Sequence, residues 1–339
     1  MNTVVQSLPA VTPVRPVTPH RPALRLINTK TLSRAAWLDV RRQGIGSSDA
    51  AAAVGLNPYQ SPLALWLNKT GRQEALAPAK DADSDPLYWG TQLEQFVAEH
   101  YTRQTGRKVR RCNAVLQHPE YPWMLANIDR EVVGSSDVQI LECKTAGLNG
   151  ARLWRDGVPE YVQLQVQHQL AVTGKQAADV AVLLCGNDFK CYRIERDDAL
   201  IDRLIELEAQ FWQYVIRDTP PPADGSASAA QALQVLYPAS NGSVVDLSDD
   251  TEMSACFADL LAIRARLTEA EAIEAKLKQR IQERLANASG ARFSSGEVSW
   301  KRSKDSVTLD VARLLKDQPD LLERYPLIRA GSRRFVVSA

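Results

Sequence analysis

The segment from Trp123 to Ala146 constrains the fold of this 339-residue chain more than any other part. It holds two β-prone runs on either side of a Gly-Ser-Ser-Asp turn, WMLANIDREVV and VQILECKTA. Runs of this composition around such a turn predict a β-hairpin. If the turn is centred between Ser135 and Ser136, antiparallel pairing places Asp129 directly opposite Glu142.

This predicted pairing brings two carboxylates together. Directly opposed side chains lie roughly 5 Å apart at Cβ, and like charges placed there repel each other. A bound cation would relieve the repulsion, and two carboxylates suit a hard ion such as Mg²⁺. Lys144 shares a strand face with Glu142 and would bring one positive charge to the same pocket. An Asp followed by Glu-x-Lys across a hairpin resembles the PD-(D/E)xK nuclease core, although the triplet alone also occurs in many solvated strands.

Composition narrows the class of protein. The chain has 41 basic and 40 acidic residues, which argues against a non-specific nucleic-acid coat but leaves room for a local basic groove. No apolar run approaches the roughly 20 residues of a membrane span, and no signal-peptide layout opens the chain. Five cysteines without a CxxC pair and four histidines predict reduced thiols in a cytoplasmic protein without a zinc site.

The length favours more than one domain, and changes of composition suggest the boundaries. Residues 1–28 include VTPVRPVTPHRP and predict a proline-rich, disordered tail. The main domain would span residues 29–218, followed by a linker rich in Pro, Ala, Ser and Gly at 219–248. Apolar residues recur every three or four positions in 249–288, which predicts a long helix or short coiled coil, structural or oligomerising in role. Residues 289–339 would form a small β-containing unit.

Two segments outside the hairpin could contribute to a site. The run from Gly44 to Asp49 precedes an alanine-rich helix, and unpaired N–H groups at a helix N-terminus attract anions. An ordinary Ser or Asp N-cap is the alternative. A helix beginning near Trp89 carries Glu94 at the edge of its apolar stripe, from which it would face either a cleft or solvent.

Glutamines and arginines supply two further candidates. Gln163, Gln165, Gln167 and Gln169 alternate along a helix that begins near Pro159, so they cannot all share one face. One or two of these amides would line a cleft. The basic residues between 107 and 111 would follow a DNA backbone if they lay beside such a cleft, or form a solvated edge if they did not.

Taken in order, these segments resemble the YqaJ-type viral recombinases, relatives of bacteriophage lambda exonuclease. The resemblance covers roughly residues 33 to 215. It is carried by RRQGIGSSDAAAAVGLNPY, WGTQLEQFVAEHY, NIDREVV, ILECKTA and YVQLQVQHQLAVTG. Each motif is a poor identifier alone, but five in this order are specific.

The resemblance implies a fold and an activity. The fold would be α/β, a restriction-endonuclease-like core with a mixed central sheet flanked by helices and a helical C-terminal extension. The activity would be Mg²⁺-dependent 5′-to-3′ digestion of linear double-stranded DNA, with more than one metal ion bound and Mn²⁺ able to substitute. The 3′ single strands left behind would pass to a single-strand annealing protein in phage or prophage recombination. The implied partners are DNA ends, that annealing protein and further copies of the chain in a ring, with no membrane involved.

The resemblance also implies roles for particular residues. Asp129, Glu142 and the backbone carbonyl of Cys143 would hold metal, with Glu94 as a further carboxylate near the ions. Lys144 would activate the attacking water.

The remaining roles concern an amide and the DNA end. Gln165 matches the glutamine of the QVQ motif, although Gln163 and Gln167 leave the register open. Arg41 and Ser48 stand where the family grips the terminal 5′-phosphate. One departure is that Ile128 precedes Asp129, where the PD signature has proline.

Two other functions fit the same residues. The core could serve an endonuclease or structure-specific nuclease, which would cut closed circular DNA. It could also be a catalytically silent scaffold that binds DNA ends, although the joint presence of Asp129, Glu142 and Lys144 argues against silence.

Overall fold

The structure is a computed structural model that describes residues 22–72, 85–328 and 331–338, with the side chains of residues 85–87 outside the description. The chain divides into two units, residues 1–237 and 238–339, and each is described by itself.

The first unit contains both strands and helices, with short 3₁₀ turns at Ser47–Asp49 and Arg152–Trp154. Its strands are β1 (Leu24–Asn28), β2 (Ile45–Gly46), β3 (Lys108–Arg111), β4 (Ala114–Gln117), β5 (Met124–Ala126), β6 (Arg130–Val133), β7 (Ile140–Ala146), β8 (Ala177–Leu184) and β9 (Asp188–Glu195). Its helices are α1 (Arg34–Arg42), α2 (Ala50–Ala53), α3 (Pro62–Lys69), α4 (Asp85–Thr105), α5 (Leu148–Ala151), α6 (Glu160–Thr173), α7 (Asp198–Ile216) and α8 (Ala227–Leu236).

The strands form two mixed sheets. The larger has the order β3-β6-β7-β8-β9, antiparallel except for the parallel pair β7–β8, and the smaller has the order β1-β4-β5-β2. Helix α6 connects β7 to β8, as a parallel pair requires, and its apolar residues pack with Ile140 and Val180 on one face of the larger sheet. Helix α4 packs on the other face, against Leu141 and Ala181. The predicted α/β architecture of a mixed sheet flanked by helices is confirmed.

The β6–β7 hairpin has the predicted register. Arg130 pairs with Leu141 and Glu131 with Ile140, which continues to Asp129 opposite Glu142. The first β run is not one strand, however, because β5 belongs to the smaller sheet and β6 to the larger.

The chain changes sheet at Asn127–Asp129, where polar side chains take backbone partners. Asn127 donates to the carbonyl of Ala114 at 3.2 Å, and Asp129 accepts from the N–H of Cys143 at 2.8 Å. Side chains that bond backbone groups in this way compete with the regular ladder, so the strand is interrupted here.

Two predicted irregular segments contain regular structure. Residues 24–28 of the predicted disordered tail form β1, which pairs antiparallel with β4, while residues 1–21 lie outside the described part of the chain. The predicted linker at 219–248 contains α8, which begins at a Ser226 N-cap and buries Ala232 in the cluster that includes Leu63 of α3. Alanines favour helix formation and allow close helix approach, whereas we interpreted them as linker composition.

The second unit contains α9 (Thr251–Leu285), close to the predicted 249–288, then β10 (Gly290–Phe293), β11 (Gly296–Ser299), α10 (Val311–Asp317) and α11 (Leu321–Arg324). Strands β10 and β11 form an antiparallel hairpin. Much of the apolar stripe of α9 is exposed, including Ile263, Leu267, Ile273 and Leu277. Its oligomerising role stays a prediction.

All five cysteines are free thiols in this structure: Cys112, Cys143, Cys185, Cys191 and Cys256. Among the described helices, none combines the length and apolar character needed to cross a membrane. Residues 73–84, between α3 and α4, lie outside the described part of the chain.

Candidate active site

Asp129 and Glu142 form the centre of the candidate site. Asp129 directly precedes β6 and stands opposite Glu142 of β7, so alternation aims both side chains at the α6 side of the sheet. Burial, Glu142 and Glu94, in that order, raise the pKa of Asp129 well above its usual value. Removal from water and the neighbouring carboxylates therefore both disfavour the charged form of Asp129.

Glu142 is almost completely buried and bonded on both oxygens. Its Oε1 accepts from Lys144 Nζ at 2.8 Å and from Gln165 Nε2 at 2.6 Å, and its Oε2 accepts from Gln169 Nε2 at 2.7 Å. Burial would lower the pKa of Lys144, but its hydrogen bond and charge interaction with Glu142 outweigh burial and raise it. Lys144 is thus an ammonium group in this arrangement.

Helix α6 settles which glutamine faces the site. Gln165 donates to Glu142 and accepts from Lys144 Nζ at 2.9 Å, so one amide bridges both groups. Gln163 donates to the carbonyl of Val158, and Gln167 donates to the carbonyl of Glu195 at the end of β9 and accepts from the N–H of Asp197. The structure therefore brings Gln165, but neither neighbour, to the predicted site.

Gln169 was not among our predicted site residues, although its position one helical turn from Gln165 was the signal for it. It is fully buried, and its Nε2 also donates to the carbonyl of Asn127 at 3.2 Å. Its Oε1 is buried without a hydrogen-bond partner among the described residues. Two amides from successive turns of α6 thus fix the orientation of the Glu142 carboxylate.

Glu94 is engaged by two arginines. Its carboxylate forms an ion pair with the buried Arg130, and Arg111 lies 3.7 Å from the same oxygen. Arg130 follows Asp129 directly, so alternation turns it to the α4 side, where Glu94 lies. Over the described ranges, no three His, Cys, Asp or Glu side chains converge closely enough to hold a metal ion. The charge of Glu94 still acts on Asp129, whose pKa it helps to raise, and its role as a further carboxylate near the metal ions stays a prediction.

The donor set of the pair nevertheless fits a hard divalent cation. Oδ2 of Asp129 is engaged by Cys143 N–H, while Oδ1 takes no hydrogen bond from the described residues. Oε2 of Glu142 accepts one hydrogen bond and keeps a second acceptor site. The N–H and C=O of one strand residue face the same edge, so the Cys143 carbonyl lies on the Asp129 side of β7. These are oxygen donors, which Mg²⁺ prefers.

A second cluster surrounds Arg41, near the end of α1. Its Nη2 donates to Ser48 Oγ at 2.6 Å and to Asp49 Oδ1 at 2.8 Å, and its guanidinium stacks over Trp37 at 4.9 Å. The structure thus brings Arg41 and Ser48 together. The observed loop differs from the predicted anion site built on unpaired N–H groups. The helix after it has only four residues, and the Gly46 N–H already donates to Asp49.

Asp49 and Lys69 complete this cluster and were not predicted. Lys69 Nζ donates to Asp49 Oδ2 at 2.6 Å and to the carbonyl of Arg41 at 2.9 Å, and its side chain is 1% exposed. Burial would raise the pKa of Asp49, but Lys69 and Arg41 outweigh it and hold that pKa at about 2. Asp49 stands in the GIGSSD run, whereas no local signal marked Lys69. The cluster borders a cavity of about 170 Å³ lined by Leu38, Arg41, Arg42, Asp49, Gln60 and Asn68.

Comparison with known proteins decides the family. The Bacillus subtilis (strain 168) uncharacterized protein YqaJ is 36% identical over 304 residues, covering 88% of this chain and 92% of that protein. The chain belongs to the YqaJ-like viral recombinase family. The model of the YqaJ-like viral recombinase domain matches residues 36–176, which include both clusters. The predicted resemblance to this family is therefore confirmed.

Two of the solved structures with partial likeness to this YqaJ family member are exonucleases. An alkaline exonuclease from Laribacter hongkongensis has 22% identity and a TM-score of 0.44, covering 54% of this chain and 92% of that one. A phage-related exonuclease from Haemophilus somnus 129PT has 12% identity and a TM-score of 0.35, covering 54% of this chain and 99% of that one. The family assignment rests on the sequence match alone.

Proposed function

We propose that this protein is a metal-dependent exonuclease that digests linear double-stranded DNA. The observation that carries the proposal is the paired Asp129 and Glu142, with Lys144 bonded beside them, in a chain of the YqaJ-like viral recombinase family. Two neighbouring carboxylates can hold a divalent metal ion of the kind that catalyses phosphodiester hydrolysis, and an ammonium group beside them can stabilise negative charge.

Asp129 and Glu142, with the carbonyl of Cys143, would hold Mg²⁺, for which Mn²⁺ could substitute, and more than one ion could bind. When bound, the metal stabilises negative charge on the phosphate and acidifies a bound water. The chain's own groups do the rest. Gln165 and Gln169 keep the Glu142 carboxylate in one orientation, so the metal site is preorganised.

Lys144 orients the reacting groups. It carries three N–H donors, of which Glu142 and Gln165 engage two, so one donor remains to face a water or a phosphate oxygen. The raised pKa of Lys144 favours donation and charge stabilisation over proton removal. We therefore assign it a water-orienting role.

Arg41 and Ser48 would bind the terminal 5′-phosphate, since a guanidinium and a hydroxyl are both strong phosphate donors. A bound 5′-phosphate would start digestion at the 5′ end and leave 3′ single strands, which an annealing protein would use in phage or prophage recombination. A ring of several copies around DNA belongs to the same proposal.

One assay tests the proposal. End-labelled linear duplex, with or without a 5′-phosphate, is incubated with Mg²⁺ or with EDTA, beside covalently closed circular duplex. We expect label release only with Mg²⁺, faster release from the phosphorylated end, and an intact circle. Cutting of the circle would indicate an endonuclease. Binding of ends without nucleotide release would indicate a non-catalytic scaffold.

A further inference from the structure

We propose that Asp49 and Lys69 are positioning residues that hold Arg41 ready for the 5′-terminal phosphate and keep its pocket positively charged. The inference rests on the proposed phosphate-binding role of Arg41 and deepens it. Neither Asp49 nor Lys69 needs to touch DNA, because both act through Arg41.

The guanidinium of Arg41 is fixed from three directions. Asp49 and Ser48 accept from Nη2, and the ring of Trp37 lies 4.9 Å from the guanidinium carbon. An unrestrained arginine loses considerable rotamer freedom when it binds a ligand, and that loss weakens binding. Here the restraint is already in place in the structure of the chain alone.

The charge of Asp49 poses a difficulty that Lys69 resolves. A carboxylate 2.8 Å from the phosphate-binding guanidinium would repel the incoming anion and neutralise the arginine. Lys69 lies 2.6 Å from the other carboxylate oxygen. Burial lowers the pKa of Lys69, and the Asp49 carboxylate opposes that shift; with Lys69 protonated, Arg41, Asp49 and Lys69 together keep one net positive charge. The Lys69 side chain is only 1% exposed, which prevents direct contact with DNA.

The loop backbone is shaped around the same carboxylate. Gly46 N–H donates to Asp49 Oδ2 at 3.0 Å. A Cβ added at Gly46 would lie 3.2 Å from both Arg41 Nη2 and Asp49 Oδ2. Glycine therefore permits the close approach, and Lys69 secures the other side by bonding the carbonyl of Arg41 itself. One buried ammonium group ties the end of α1, the Ser47–Asp49 turn and the end of α3 together.

The test compares Lys69→Met with the full-length parent on linear duplex with a 5′-phosphate and with a 5′-hydroxyl. The readout is the ratio of the two kcat/KM values. We expect the preference for the phosphorylated end to fall about tenfold in Lys69→Met, the size expected for losing one charge-assisted hydrogen bond. The change should appear in KM and leave kcat near the parent value. Lys190→Met removes an exposed lysine of β9 and is the matched control.

Lys69→Met leaves a buried carboxylate without its partner, which can prevent folding. A second variant therefore tests the same proposal. Lys69→Met/Asp49→Asn removes both buried charges, and a neutral amide holds Arg41 less firmly than a carboxylate does. We expect the double variant also to lose most of the preference for the phosphorylated end. The positioning role would be overturned by an unchanged preference for the phosphorylated end in a folded variant. An equal loss of kcat/KM on the 5′-phosphate and 5′-hydroxyl duplexes, together with a lower Tm, would also overturn it. A parent that shows no preference would instead refute the proposed phosphate site.

Discussion

Gln165 and Glu142 share a buried hydrogen bond of 2.6 Å between Nε2 and Oε1, and the same amide accepts from Lys144. A helix residue thereby fixes two strand residues at once. The bond joins α6 to β7, so the packing of that helix on the sheet decides how the Glu142 carboxylate is oriented. The candidate site is accordingly a product of the hairpin and of the helix that follows it.

Loss of either charged strand residue should abolish digestion. Glu142→Gln keeps the shape but weakens metal binding, and Lys144→Ala removes the oriented ammonium group. We expect the rate of nucleotide release from linear duplex to fall by about two to three orders of magnitude, the range for loss of one group that stabilises charge in the transition state. Binding of duplex ends and the circular dichroism spectrum should stay near the parent. Parent-like digestion by Glu142→Gln would mean that the site is misassigned.

The glutamines of α6 provide a matched comparison. Gln165→Leu removes the amide that bridges Glu142 and Lys144, whereas Gln163→Leu removes an exposed amide two residues away. We expect activity to fall about 10–100-fold in Gln165→Leu, as for other residues that orient a metal ligand, and to stay near the parent in Gln163→Leu. Initial rates at saturating Mg²⁺ would show the difference. Equal effects in the two variants would argue that α6 contributes only to packing.

The crowded carboxylates should cost stability when no metal is bound. Asp129→Asn removes one negative charge and can still accept from Cys143 N–H, so we expect Tm in EDTA to rise by a few degrees, corresponding to about 1 kcal/mol. Mg²⁺ should raise the Tm of the parent but not of the variant, because only the native site binds it.

Asp137→Asn is the control for this prediction. The Asp137 carboxylate is paired with Arg107 and Arg193, so its removal relieves no repulsion and should not raise Tm. A lower Tm in Asp129→Asn than in the parent, measured in EDTA, would contradict the charge argument.

The ion pairs of Asp49 with Arg41 and Lys69 predict that the protein loses stability in acid. The pKa of Asp49 falls from 3.8 to about 2 on folding, so the native state binds fewer protons than the unfolded state in this range. The resulting stabilisation, roughly 2 kcal/mol, is fully present above about pH 4 and is lost as pH falls through about 2. In urea unfolding, the stability difference between parent and Asp49→Asn should therefore shrink only below about pH 4. A difference that shrinks between pH 7 and 5 would point to another group.

The local sequence pattern was enough to predict the strands and the helix that carry the candidate site. The turn between Ser135 and Ser136 and the alternation of β7 predicted the hairpin register, because strand periodicity leaves only one choice once the turn is placed. The same logic predicted α6 but not which glutamine it turns inward, since Gln163, Gln165 and Gln167 differ only in which tertiary neighbour each meets.

The sequence by itself determined the family, the α/β class and the pairing of Asp129 with Glu142, because these depend on short-range periodicity and on motif order. Only the tertiary structure decided that Arg130 captures Glu94, that Gln169 supports Glu142, and that Lys69 reaches Asp49. Each of these contacts joins residues from separate elements. Their partners are chosen by how helices pack on sheets, where burial makes an unpaired charge costly, and no local pattern records that choice.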